Sequence, residues 1–341
     1  MISPISMSHT NKITGLVDRF GRTHNYLRIS LTERCNLRCF YCMPAEGIPI
    51  REKSEFMTVE ETLSIAKTFV DLGINKIRLT GGEPLIKKGF NELIEGLGKL
   101  PVELAMTTNG VALDKYIDVL KNAKLNKLNI SLDSLNEERM NAISRRSFFT
   151  KIMENIDLAI NQGFEVKINV VLIRDVNNDE IIDFIEWGND KPISLRFIEF
   201  MPFDGNQWDE RKKVDLEEIL STVYKHYGVA QVIRIDDEKN DTSKNYRIAG
   251  AKGSFGIISS VSNPFCDSCN RIRLTADGKL KNCLFSASES DLLSQLRNGQ
   301  DIKEVIVSNI LNKKKERGGY SDFNDNMLHT MKNRTMTAIG G

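Results

Sequence analysis

Between Tyr26 and Met201 short apolar runs alternate with longer stretches of helical period. That alternation constrains the fold more than any other feature, because strands separated by crossover helices pair in parallel. Strands are predicted at Tyr26–Thr32, Lys76–Thr80, Val102–Thr108, Lys127–Asp133, Glu165–Ile173 and Ser194–Phe200. A helix is predicted over Thr58–Leu72, where Thr58-Val-Glu-Glu61 forms a capping box and Leu63, Ala66, Phe69 and Val70 share one face. Another covers Lys151–Gln162, with Ile152, Ile156, Ala159 and Ile160 inward and Gly163 as its stop. Six such units fall short of the eight that close a full barrel.

Beyond Pro202 the alternation stops. Val214–Tyr227 reads as a helix, Tyr246–Ile248 and Ser254–Ser260 as strands, and Arg271–Thr275 with Lys279–Leu284 as a hairpin turning at Ala276-Asp-Gly278. The remainder is expected to be helical, with Lys313-Lys-Lys-Glu-Arg317 a solvated face. The expected organisation is a tail over 1–20, a βα domain over 21–202 and a smaller domain over 203–341. A net charge of +1 over 341 residues gives no electrostatic footprint for a nucleic acid polymer. No run of about 18 apolar residues is present, and Met1 to Val17 lacks the pattern of a targeting segment, so a cytoplasmic location away from membranes is expected.

In βα architectures ligands bind at the carboxyl ends of the strands, and unusual polar residues fall there in turn. Cys35-Asn-Leu-Arg-Cys39-Phe-Tyr-Cys42 follows the first strand, Thr80-Gly-Gly-Glu-Pro84 the second, Thr107-Thr-Asn-Gly110 the third, Ser131 and Asp133 the fourth, and Glu199-Phe-Met201 the sixth. Three thiols so close can converge on one metal centre, one ligand short of a closed structural site. A second set, Cys266, Cys269 and Cys283, is again one short, and none of His9, His24, His226 or His329 is placed by sequence to complete it. All six cysteines fall in these two groups, which points to metal rather than disulfides.

Cys35 to Cys42, with Tyr41 before the last thiol and Gly81-Gly82-Glu83-Pro84 one unit later, resembles the signature of the radical S-adenosylmethionine (SAM) superfamily. The resemblance implies an incomplete (β/α)6 barrel, open on one side, in which Cys35, Cys39 and Cys42 hold a [4Fe-4S] cluster whose fourth iron binds SAM. One electron from the cluster would cleave SAM to methionine and a deoxyadenosyl radical. Tyr41, Gly82, Ser131 and Met201 are implied to line the SAM pocket, supported by Glu83 and Asn109, with the two glycines letting the backbone approach the ligand. The second cysteine set is expected to hold a second open [4Fe-4S] cluster in the smaller α+β domain, facing the barrel mouth and taking a ligand other than SAM.

Arg28, Arg78, Lys167 and Arg196 lie inside predicted strands, and Arg271 and Arg273 alternate onto one face of the hairpin. Unpaired buried charge is costly, so internal ion pairs or an anionic ligand must accompany them; for all six together a polyphosphate is favoured. The segments Asp18-Arg-Phe-Gly-Arg22, Tyr26-Leu-Arg-Ile-Ser30, Arg196-Phe-Ile-Glu-Phe-Met201-Pro, Cys266-Asp-Ser-Cys269-Asn-Arg-Ile-Arg273, Cys283-Leu-Phe and Gly340-Gly341 look like those of the GTP 3',8-cyclases of molybdenum cofactor biosynthesis. This second resemblance covers nearly the whole chain. It implies hydrogen abstraction from ribose C3' of GTP and attack of the sugar radical on guanine C8. Arg28, Arg78, Thr107 or Thr108, Lys167, Arg196, Arg271 and Arg273 are implied to meet GTP, with guanine at the second cluster. Arg271, Arg273, Gly340 and Gly341 are implied to act in the reaction, the glycines threading into the barrel mouth. Implied partners are an external electron donor and a downstream pyranopterin monophosphate synthase, and a homodimer is allowed. Asp175 departs from the pattern, which expects glycine there.

Two rivals differ in kind. Radical SAM peptide-modifying enzymes also carry auxiliary clusters but usually more cysteines, and a zinc-binding interaction protein would use the barrel as a scaffold.

Overall fold

The computed structural model describes residues 15–49, 51–206, 208–320 and 333–340. A short antiparallel pair, β1 (Leu16–Val17) and β2 (Thr23–His24), opens the described chain. Residues 15–20, expected to belong to a tail, are therefore built into the fold: Leu16 is buried in the core and the Asp18 carboxylate accepts from Arg22 Nε at 2.6 Å. Residues 1–14 of that tail lie outside the described residues.

The six expected parallel strands are present as β3 (Tyr26–Ser30), β4 (Lys76–Thr80), β5 (Glu103–Thr108), β6 (Lys127–Ser131), β7 (Glu165–Leu172) and β8 (Ile193–Glu199). Each pairs in parallel with the next. The connections carry α1 (Val59–Asp71), α2 (Phe90–Leu97), α3 (Ile117–Asn122), α4 (Glu137–Ser144), α5 (Phe149–Asn161) and α6 (Ile181–Gly188). The capping box at α1 forms as read: Thr58 Oγ1 accepts from Glu61 N–H at 3.2 Å, and the Glu61 carboxylate accepts from Thr58 N–H at 2.8 Å.

Alternation along the strands sorts the two faces. Leu27, Ile29, Ile77, Leu79, Met106, Leu128, Ile130, Ile168 and Phe197 are fully buried in the main core cluster, which the helices share. The opposite face carries Arg28 abreast of Arg78, then Thr107, Asn129 and Lys167 abreast of one another, and Arg196 abreast of Asn169. A parallel sheet covered on both faces by helices is apolar throughout; this one keeps a polar interior.

The chain after residue 202 adds α7 (Leu216–Tyr227), β9 (Val232–Ile235), β10 (Lys244–Ile248), β11 (Ser254–Ile258), β12 (Arg271–Leu274), β13 (Lys279–Lys281), β14 (Ser290–Asp291), α8 (Leu292–Arg297) and α9 (Lys303–Leu311). Its strands extend the same sheet at both ends. β11 pairs in parallel with β8 and β12 in parallel with β3, giving the order β14-β13-β12-β3-β4-β5-β6-β7-β8-β11-β10-β9. The sheet curves until β12 meets the opposite edge: Arg271 on β12 donates from Nη2 to the carbonyl oxygen of Asn240, in the β9–β10 connection.

Candidate active site

The first cysteine loop leaves the carboxyl end of β3 and is fixed by backbone bonds. Arg38 and Phe40 N–H donate to the carbonyl oxygens of Ser144 and Ile143 at 2.8 and 3.1 Å, and Cys42 N–H to Cys39 O at 2.9 Å. The sulfur of Cys35 accepts from Leu37 N–H at 3.4 Å and from Asn109 Nδ2 at 3.6 Å. Burial pushes the Cys35 thiol up to about 11 and that of Cys42 to about 12, with Cys39 also held well above its ordinary value; the Glu83 charge adds to the rise at Cys35, and Asp133 with neighbouring sulfurs at Cys39 and Cys42. Partly buried thiols in one loop suit iron ligation, which removes their protons and supplies the missing positive charge.

Gly81 and Gly82 pack directly on the backbone that leads into the cysteine loop. A Cβ on Gly81 would stand 2.6 Å from Thr32 O, and one on Gly82 2.3 Å from Arg34 O. Gly82 N–H donates to Thr32 O at 2.7 Å and Glu83 N–H to Arg34 O at 2.8 Å. The glycines let the second loop lie flat against the approach to Cys35, so what the backbone comes close to is the cysteine loop. Glu83 then ties the third strand in: its carboxylate accepts from Thr108 Oγ1 at 2.8 Å and from Asn109 N–H at 2.7 Å. Burial raises Glu83 to about 7 against these donors. Thr108 is thereby committed to Glu83, whereas Thr107 lies on the arginine face, 3.4 Å from Arg78 Nη1.

Tyr41 reaches across the mouth to donate to Asp133 Oδ2 at 2.5 Å, and Asp133 Oδ1 accepts from Val171 N–H at 2.9 Å. Ser131 closes β6 half-buried, and Met201, like Tyr41, packs against the smaller core cluster that contains Phe200, Phe203 and Ile339. Glu199 holds the far side of the mouth by accepting from Val261 and Ser262 N–H at 2.7 and 3.0 Å.

The second cysteine set does not face the mouth. Cys269 precedes β12 and Cys283 follows β13, which is antiparallel to β12, so both stand at the amino-terminal ends of the parallel strands. The residues that hold it come from a stretch expected to be solvated. Lys313 is only 4% exposed, donating from Nζ to Cys269 Sγ at 3.5 Å and to Arg271 O at 2.9 Å. Arg317 N–H donates to Cys266 Sγ at 3.4 Å, and Arg22 Nη1 binds the carbonyl oxygens of Cys266 and Lys315 at 2.8 and 2.6 Å. Lys314, Lys315 and Glu316 are exposed as the charge run implies, while Lys313 turns inward onto Cys269. Against burial, which raises it, the Lys313 and Arg271 charges hold the Cys269 thiol below its ordinary value, again a setting for a metal-bound thiolate. Among the described residues no three His, Cys, Asp or Glu side chains converge closely enough for a single metal ion.

Between the two cysteine sites the inner face forms layers. Nearest the base, Arg271, Tyr26 and Lys76 are in register across β12, β3 and β4; next come Arg273, Arg28 and Arg78; then Ser30 and Thr80. Four residue steps from Tyr26 to Ser30 span about 13 Å. Three guanidinium groups side by side repel, as like charges directly opposite do. Burial, then the Arg273 charge, lowers Arg28 to about 9, and burial lowers Arg273 to about 10. Arg196 donates to Asn245 Oδ1 at 2.6 Å, and Lys167 pairs with Glu165 at 3.1 Å. Gly340 enters the third layer: Arg273 Nη1 donates to its carbonyl oxygen at 2.6 Å. Gly341 lies outside the described residues.

Comparison with known proteins adds independent findings. The radical SAM superfamily profile matches residues 29–188, and that of Molybdenum Cofactor Synthesis C matches residues 193–318. A mitochondrial GTP 3',8-cyclase of Arabidopsis thaliana is 45% identical, covering 96% of this chain and 83% of its own. The GTP 3',8-cyclase of Alkaliphilus oremlandii is 43% identical, covering 95% and 99%. Molybdenum cofactor biosynthesis protein 1 of Dictyostelium discoideum is 43% identical, and the chain spans about half of it, 52%. In fold, the chain resembles SuiB of Streptococcus suis with bound S-adenosylmethionine at a TM-score of 0.64 and 15% identity, covering 85% of this chain and 68% of that one.

Proposed function

Because this chain belongs to the radical SAM superfamily, in the group that includes the GTP 3',8-cyclases, we propose that it converts GTP to 3',8-cyclo-GTP in molybdenum cofactor biosynthesis. The family implies one [4Fe-4S] cluster and SAM; we assign the cluster to Cys35, Cys39 and Cys42, and a second to Cys266, Cys269 and Cys283. Cluster and SAM together supply a deoxyadenosyl radical. The remaining work belongs to the chain: Arg28, Arg78, Arg273 and Arg271 bind and orient the nucleotide between the two sites, with Lys167 and Arg196 across the interior and Thr107 beside Arg78. Tyr41, Gly82, Ser131 and Met201 border the SAM site, supported by Glu83 and Asn109. Gly340 completes the wall beside Thr80, and Gly341 acts with it in the reaction.

The carrying observation is the layer of in-register arginines set between cysteine sites at opposite strand ends. A polyanion about as long as a nucleoside triphosphate satisfies that arrangement. Identity of 43–45% to cyclases favours this over a peptide-modifying enzyme such as SuiB, where the likeness at 15% identity concerns fold alone. On this basis the fold is an incomplete (β/α)6 barrel over 21–202, with 203–341 an α+β part that carries the second cluster and covers both barrel edges. An external reductant and a pyranopterin-forming enzyme complete the scheme. No helix among the described residues is long and apolar enough to cross a membrane.

The test is anaerobic turnover with GTP, SAM and a reductant, following 5'-deoxyadenosine and cyclised nucleotide by chromatography. Cys39→Ala is expected to abolish both. Cys269→Ala is expected to keep some uncoupled SAM cleavage while losing the cyclised product, since with guanine unheld the ribose is no longer at hydrogen-abstraction distance. Normal product from Cys269→Ala would overturn the assignment.

A further inference from the structure

Tyr26 touches cations from both strands that flank its own. Its hydroxyl oxygen accepts from Arg78 Nε at 2.6 Å. Lys76 Nζ stands over its ring at 5.3 Å from the centroid, and the Arg271 guanidinium lies at 5.7 Å. The contacts follow from register, since Arg271, Tyr26 and Lys76 occupy one row across β12, β3 and β4. Arg78 is fixed at its other end by donation from Nη1 to Met106 O at 2.9 Å. The ring is 8% exposed, and a π face and a phenol oxygen are what a buried guanidinium accepts in place of water.

We propose that Tyr26 is a positioning residue for the phosphate end of the nucleotide: it holds Arg78, Lys76 and Arg271 in place before binding and yields its share of their charge to the phosphates when they arrive. This rests on GTP being the substrate. The charged groups around the phenol are Arg78 and Lys76 on β4, Arg271 and Arg273 on β12, Arg28 on its own strand, and Glu103, which pairs with Lys76 at 2.6 Å. Burial alone would raise the phenol; Arg78, Arg28 and Lys76 overcome it and bring it to about 7. Above that value an empty site holds phenolate. Phosphate oxygens entering among the same cations remove the stabilisation, so the phenolate takes a proton from the buffer as the nucleotide binds.

The experiment is anaerobic calorimetry of GTP, guanosine and inorganic tripolyphosphate binding to the reconstituted full chain and its Tyr26→Phe variant, at pH 8 in buffers of different ionisation enthalpy. Wild type is expected to take up a fraction of a proton with GTP and with tripolyphosphate, and none with guanosine. Tyr26→Phe is expected to bind GTP and tripolyphosphate roughly tenfold more weakly, as on loss of one charge-assisted hydrogen bond. Its affinity for guanosine and SAM should be unchanged and its proton uptake absent. Unchanged GTP affinity, retained proton uptake, or an equal loss for guanosine and GTP would overturn the role. If Tyr26→Phe proves unstable, the wild-type proton count decides alone, and its absence overturns the role. A wild-type chain that binds tripolyphosphate with proton uptake but ignores GTP would refute the substrate and leave the phosphate role standing.

Discussion

Arg273 donates from Nη1 to the carbonyl oxygen of Gly340 at 2.6 Å, which fixes a residue near the carboxyl end of the chain against the middle arginine layer. Gly340 has φ +73, and a Cβ there would come within 2.3 Å of Thr80 Oγ1 and 3.0 Å of Ser30 Cβ. Gly340→Ala is therefore expected to lift this segment out of the interior. Cyclised product should fall by roughly a hundredfold, the scale of a small misplacement near the reacting atoms, with iron content and uncoupled SAM cleavage retained. Chromatography of both products beside an iron assay checks it; full activity in the alanine variant would remove Gly340 from the site.

The arginine layer should trade stability for binding. Arg28→Met keeps an unbranched apolar stem and removes the central like charge between Arg273 and Arg78. Ligand-free stability is expected to rise by up to about 1 kcal/mol, while GTP binding weakens by about 2 kcal/mol as a charged hydrogen-bond donor is lost. Thermal unfolding with and without GTP separates the two effects. A fall in ligand-free stability would show that the three arginines do not repel.

Asp175 adopts φ +61, a left-handed conformation, and its N–H donates to Asn178 Oδ1 at 2.8 Å. The glycine expected at this position would take that conformation freely, whereas a side chain costs about 1 kcal/mol there, somewhat less for Asp. Asp175→Gly should raise the urea midpoint without changing turnover. An unchanged or lower midpoint would mean the strain is relieved locally.

His24 makes a sign-specific prediction. Its Nε2 lies 3.0 Å from Asp18 Oδ2, its Nδ1 is buried without a hydrogen-bond partner among the described residues, and the ring is inaccessible to solvent. Burial, then the Lys313 charge, lowers its pKa from 6.5 to about 4. Between those values the unfolded chain binds the proton and the folded chain does not, so stability is complete above pH 6.5 and is lost as pH falls toward 4. The slope approaches about 1.4 kcal/mol per pH unit. His24→Gln should flatten that window in urea titrations; an equal slope in the variant would place the proton elsewhere.

The six strands and their polar carboxyl ends were legible because parallel pairing follows from βα alternation, and alternation within each strand separates Ile29 from Arg28. Register was not. Nothing local says that Arg273, Arg28 and Arg78 stand abreast, since that depends on a strand from the far end of the chain. The same gap concealed the location of the second cysteine set, whose placement at the strand bases comes from β12 running parallel to β3. It also concealed the burial of Lys313, a residue that a charge run assigns to solvent until Cys269 is brought beside it. Gly81 and Gly82 were visible as a close approach, but the thing approached, the backbone at Thr32 and Arg34, is a tertiary fact. The strand Val232–Ile235 gave no expectation at all: it is a sheet edge held by β10 alone.

The parallel pairing of β3 with β12 also has a consequence for biogenesis. Asn25, beside β3, and Asn270, beside β12, are hydrogen-bonded at 2.6 Å although 245 residues apart in the chain. β3 emerges from the ribosome first among the six strands, yet the edge it turns away from β4 stays open until β12, about 245 residues later, has been made. An uncovered strand edge invites pairing with another chain, and the first thiol loop hangs from that same strand. Synthesis halted short of Arg271 thus leaves a template for aggregation next to three reactive cysteines, so chaperone protection is needed most during the long wait for β12.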